Sequence, residues 1–173
     1  MKPLFLTLAL LAGALSSFAQ KFTIKKDRVL VDGQPYFRFE SDGYDLLYIY
    51  SLQDERLLVV KEMLLNDPAL CVPDNPTGGR WYLQFTFPEP RTLVETARPL
   101  TLAKLPLIVA RKMYAAHVLQ NGMVSPAAVA DFASINGTVY SDRRVAINQS
   151  GWAPSVLPLP VTSPPQNPRT PRP

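Results

Sequence analysis

Three carboxylates crowd one short stretch, Glu40-Ser41-Asp42-Gly43-Tyr44-Asp45. Oxygen ligands around a glycine turn can hold Ca2+, and a pair of carboxylates can hydrolyse a glycoside. The spacing of Glu40, Asp42 and Asp45 is not that of an EF-hand loop, and the distant bidentate Glu is missing. Neighbours on one turn seldom face each other across a sugar, so the stretch is read first as a solvated hairpin turn. His117 is the only histidine. A catalytic histidine needs an orienting carboxylate and a nucleophile, and there is no G-x-S-x-G elbow; His117 is expected to pack on a helix.

Pro76-Thr77-Gly78-Gly79-Arg80 offers backbone N–H groups that could cradle an anion. It lacks the lysine and spacing of a P-loop and leads into a strand, so a plain turn is expected. Cys71 is the only cysteine, which excludes an intrachain disulfide. It is expected as a small buried hydrophobe, with an intermolecular disulfide or reactive thiol as the alternative. With a single cysteine and a single remote histidine, no zinc-type cluster can be built; neither metal nor cofactor is expected. The Asn136-Gly137-Thr138 and Asn148-Gln149-Ser150 sequons are read as chance matches in turns.

The remaining candidate is a surface rather than a reaction centre. In Tyr44-Asp45-Leu46-Leu47-Tyr48-Ile49-Tyr50, alternation along a strand puts Leu47 and Ile49 on one face and Leu46, Tyr48 and Tyr50 on the other. Aromatic side chains serve recognition because they offer large contact area at low entropy cost. Leu46, Tyr48 and Tyr50 are therefore the candidate partner-binding residues, provided that neither the Asn66–Gly79 loop, the proline-rich tail nor a second molecule covers them.

Positioning that surface requires strands in the first half of the chain. Short alternating segments at Lys21–Lys25, Arg28–Val31 and Tyr36–Glu40 are separated by turn signals, with Asp32-Gly33 a hairpin signal. Tyr44–Ser51 and Arg56–Lys61 follow, apolar on both faces. Trp81, Leu83, Phe85 and Phe87 alternate with polar neighbours, and Thr92–Thr96 can pair with them. The second half reads as helical from Pro106 to about Gln120, with Asn121-Gly122 as a stop. Ser125-Pro126 caps a second helix ending at Asn136-Gly137, with Ala128, Phe132 and Ile135 as its core stripe. Thr138–Ser141 and Arg144–Asn148 are expected as a last hairpin around Asp142-Arg143. The fold class is α+β: an antiparallel meander of roughly six to eight strands packed against one αα-hairpin.

Both ends of the chain differ from this domain of residues 20–152. Lys2 precedes an uncharged apolar run from Leu4 to Leu15, and Ser17 and Ala19 fit a signal-peptidase site. Residues 1–19 are read as a cleaved leader, cut between Ala19 and Gln20. From Pro154 onward, eight of 20 residues are proline, so 153–173 is expected to be a disordered polyproline-like tail. Of the formal charge of +4, Lys2, Arg169 and Arg172 belong to these ends. The rest has no basic stripe, which speaks against a nucleic-acid partner. The most apolar later stretch, Leu105–Leu119, is interrupted by Arg111 and Lys112, so no membrane span is expected in the mature chain. The sequence thus reads as a secreted or periplasmic, non-enzymatic binding module. Its partner is an unidentified protein or envelope component, or a second copy of itself. A secreted hydrolase using the 40–45 carboxylates is the alternative.

Overall fold

The structure is a computed structural model describing residues 20–152. Residues 1–19, where a leader is expected, and the proline-rich segment 153–173 lie outside the described residues. The architecture is α+β. Seven strands pair antiparallel in chain order: β1 (Phe22–Lys25), β2 (Arg28–Val31), β3 (Gln34–Asp42), β4 (Leu46–Tyr50), β5 (Arg56–Asn66), β6 (Gly79–Phe87) and β7 (Thr92–Ala97). The Asp32-Gly33 signal holds: both residues take positive φ, at 50° and 84°, as a two-residue hairpin turn requires. Ser51 shapes the β4–β5 turn, its hydroxyl accepting from the N–H groups of Gln53 and Glu55.

Helices α1 (Leu105–Ala115) and α2 (Pro126–Asn136) seal one face of the sheet. Ile108, Val109, Ala110 and Met113 from α1, with Val129 and Phe132 from α2, pack on Val29, Phe37, Leu47, Ile49, Leu58, Val60, Leu83, Phe85 and Val94. Phe132 meets Phe85 edge-on at 5.4 Å. Ser125 caps α2 as expected, its hydroxyl accepting from Ala128 N–H with Pro126 at the first helical position. Two positions of the expected core stripes lie outside: Ile135 is 81% exposed and Trp81 49%. The inward face of α2 is instead Ala128, Val129 and Phe132.

The first helix is shorter than its periodicity suggests. It stops at Ala115 because His117 turns to φ 52°. Val118 N–H then reaches Met113 O at 2.9 Å and His117 N–H reaches Tyr114 O at 3.0 Å, a Schellman closure in which Val118 and Met113 are both buried. Asn121-Gly122 is not a helix stop: with φ of 53° and 79°, it turns a small hairpin between β8 (Leu119–Gln120) and β9 (Met123–Val124). The expected final hairpin is absent too. Its place is taken by a third helix, α3 (Val139–Gln149), which lies on the opposite face of the sheet from α1 and α2.

Candidate functional site

Register fixes what the second face of the sheet presents, because residues directly opposite across a ladder share a face. One row reads Arg28, Arg38, Tyr50, Arg56 across β2 to β5. The next reads Glu40, Tyr48, Val59, Thr86 across β3 to β6, and the third Asp42, Leu46, Lys61, Gln84, Glu95 across β3 to β7. The fourth contains Met63 and Tyr82. The expected trio Leu46, Tyr48 and Tyr50 is therefore brought together, with Val59 beside it. All four are half-buried and belong to neither core cluster. No described helix packs on them.

At the open end Arg38 organises the surface. Its guanidinium lies 4.2 Å from the centre of the Tyr50 ring, a cation–π contact. It donates to Glu40 at 2.7 Å and to Asp54 at 2.5 Å, while Tyr50 hydroxyl donates to the other Glu40 oxygen at 3.0 Å. Hydrogen bonding from Arg38, then from Tyr50, holds the Glu40 carboxyl below its ordinary range. The same bond to Glu40 raises the Tyr50 phenol. These contacts hold the Tyr50 ring and neutralise Arg38; Arg28, Arg56 and Lys61 are exposed on the same face, as is Asp42.

At the other end the face is covered by α3. A second cluster forms there from Leu65, Tyr82 and Ile147, with Met63, Tyr140 and Trp152 against it. Tyr140 stacks on Tyr82 at 4.5 Å. The polar attachments are more numerous. Glu95, only 1% exposed, accepts from the N–H groups of Tyr140 and Ser141 at 2.9 and 2.8 Å, from Ser141 hydroxyl, and from the Gln84 amide at 3.0 Å. A carboxylate there also meets the positive end of the helix dipole. Arg143 clamps Asp67 with two bonds of 2.7 and 2.8 Å, and Arg144 donates to Leu64 O and Tyr82 hydroxyl, both at 3.0 Å. The bond from Arg143 is the main cause holding Asp67 below its ordinary value.

The other sequence candidates do not assemble into a reaction centre. Asp42 is exposed at the end of β3 and Asp45 on the turn after it, and Glu40 is committed to Arg38 and Tyr50. None of the three lines the four principal cavities. The largest of these, about 980 Å3, is an open groove at the sheet end between Leu57, Pro88, Pro90, Met123 and Pro126. No group of three metal-type side chains occurs among the described residues. The Gly78-Gly79 donors are already used, on Asn75 O and on Asn75 Oδ1. Gly78 itself, at φ 61°, lies so close to the Asp67 carbonyl that a Cβ would fall 1.9 Å from its oxygen. His117 is not packed on a helix but exposed at the turn that ends α1. Cys71 is likewise exposed rather than buried, because the 67–78 loop folds on itself through Asp67, Asn75 and Gly78 and leaves Cys71 at its rim.

Sequence reasoning missed Glu95, Arg38 and the arginines of α3, Arg143 and Arg144. The sequence offers Thr92–Thr96 only as a pairing strand, and nothing local distinguishes Glu95 within it. Neither a family model, nor a curated protein, nor a solved structure matches the chain. No described helix is long and apolar enough to cross a membrane.

Proposed function

We propose that this chain is an exported binding module whose contact surface is the open end of the second sheet face. The observation that carries the reading is the half-buried patch of Leu46, Tyr48, Tyr50 and Val59, on which no described helix packs, with the Tyr50 ring held in place by Arg38 and Glu40. Contiguous apolar patches reaching the surface mark interaction sites, and a pre-positioned tyrosine lowers the ordering cost of binding. Arg28, Arg56 and Lys61 around it favour a partner that brings carboxylates to an apolar contact. A protein or envelope component of that chemistry is the expected partner. Export follows from the leader, and N-terminal sequencing of the exported protein should begin at Gln20; an intact Met1 would refute it.

The test of the surface is capture of an exported-fraction partner by immobilised wild type, followed by competition with Tyr48→Ser/Tyr50→Ser. Binding should fall sharply in the double variant and weaken with salt and in Arg56→Glu/Lys61→Glu. A partner held equally by all three proteins, each shown folded by circular dichroism, would place the contact elsewhere.

A further inference from the structure

We propose that α3 is a detachable cover: it docks on the sheet through the buried Glu95 carboxylate and, on release, extends the open aromatic face from Tyr50 to Tyr82. The proposal takes its functional meaning from the binding face assigned above, but its physical content stands on how α3 is held.

The three helices are attached by different means. α1 and α2 each place several fully apolar side chains in the main core, whereas Ile147 is the only buried residue of α3. Most of what holds α3 is polar and comes from the sheet side: Glu95 at its first turn, Asp67 on Arg143, and Leu64 O with Tyr82 hydroxyl on Arg144. Elements with little apolar burial open locally at lower free energy than the core. A joint is present as well. Gly137 adopts φ 60° and ψ −148°, a region open essentially to glycine alone, and Gly137–Thr138 is all that separates α2 from α3. Gly137 O accepts Glu95 N–H at 2.9 Å, so α2 stays pinned to the β7 edge by the Glu95 backbone. The Glu95 side chain separately holds what lies beyond the joint. One residue thus secures the fixed side and the movable side through different atoms.

Opening uncovers Leu65, Met63 and Tyr82. Met63 and Val59 lie four residues apart on one face of β5, and Val59 is directly opposite Tyr48. The uncovered patch is therefore continuous, past Lys61, with the patch that is already open.

The experiment is hydrogen exchange by mass spectrometry on the processed full chain and on Glu95→Gln, which turns one of the two acceptors into an amide donor facing the α3 N–H groups. Arg143→Gln/Arg144→Gln is a second variant, made at the helix rather than in the sheet. In both, amides of 139–149 should exchange about ten- to a hundredfold faster, as losing a charge-assisted contact implies, while β2–β6 and α1 keep wild-type protection. Emission of 8-anilinonaphthalene-1-sulfonate should rise in the same samples. If α3 exchanges only together with the sheet core in the variants that fold, or opens with no rise in dye emission, the cover does not exist. None of these readouts needs a partner, so loss of binding in Tyr48→Ser/Tyr50→Ser bears on the binding face alone.

Discussion

The two faces of the sheet are closed by different physics. On one, α1 and α2 bury aliphatic and aromatic side chains against six successive strands, β2 to β7, and their attachment is mainly apolar. On the other, α3 covers one end by fitting its N-terminal N–H groups and its arginines to the carboxylates of Glu95 and Asp67, the Leu64 carbonyl and the Tyr82 hydroxyl, and no described helix packs on the rest. Hydrophobic closure is non-directional and scales with area, so it seals broadly. Closure by directed hydrogen bonds holds only where each acceptor sits, and it fails in steps as acceptors are removed. The difference teaches that stability and adaptability are assigned to opposite sides of one sheet.

Substitutions on either face can break or sharpen that contrast. Phe85→Ala, between the sheet and Phe132, should cost about 3–5 kcal/mol and lower the unfolding midpoint of every probe together; a loss confined to α3 would invert the comparison. Gly78→Ala forces a Cβ onto the Asp67 carbonyl at a positive φ. It should cost about 1–3 kcal/mol and, by displacing Asp67, raise exchange in α3 more than in α1. Ile147→Ala should cost about 2 kcal/mol, the low end for a buried aliphatic residue, because its cluster is small and lies at the sheet rim. Its effect should appear in α3 exchange before it appears in global melting.

Acid offers a gentler test. Arg143 holds Asp67 below its ordinary value of 3.8, so the folded chain resists protonation there more than the unfolded chain does. The clamp is fully present above that value and is lost as pH falls through the lower folded value. Exchange of 139–149, corrected for its intrinsic pH dependence, should accelerate across that window in wild type and show less of the effect in Asp67→Asn. The smallest stability change is expected for Tyr48→Ser/Tyr50→Ser, whose denaturation midpoint should stay almost unmoved. A large drop would mean that those rings belong to a core.

The strands were legible because each carries its own period and its own turn. Asp32-Gly33 and the Leu83–Phe85–Phe87 alternation needed no distant information. α3 was not legible, because its sheet-facing stripe of Tyr140, Arg144 and Ile147 puts an arginine between two apolar residues, and its cap comes from Glu95, 45 residues earlier. The end of α1 was hidden for a related reason: a histidine holds the left-handed position where glycine or asparagine would have announced it. Asn121-Gly122 reads as a helix stop but turns a hairpin instead, since the same dipeptide serves helix ends and hairpins alike. In the candidate site, alternation was enough to group Leu46, Tyr48 and Tyr50. The Arg38 network that steadies Tyr50 depends on register between β3 and β4 and on Asp54 in the turn that follows.

Pairing in strict chain order has a kinetic consequence. Every ladder of the seven-stranded sheet joins neighbours along the chain, so each closes a local loop, the longest being the 67–78 connection, at modest entropic cost. No strand waits for one made much later. Folding can therefore advance hairpin by hairpin from the amino-terminal end, and a low mean sequence separation of contacts favours a rate faster than that of a crossed-over β sandwich of equal size. A chain that emerges from a narrow passage amino terminus first would have its early strands paired while the helical part is still to come.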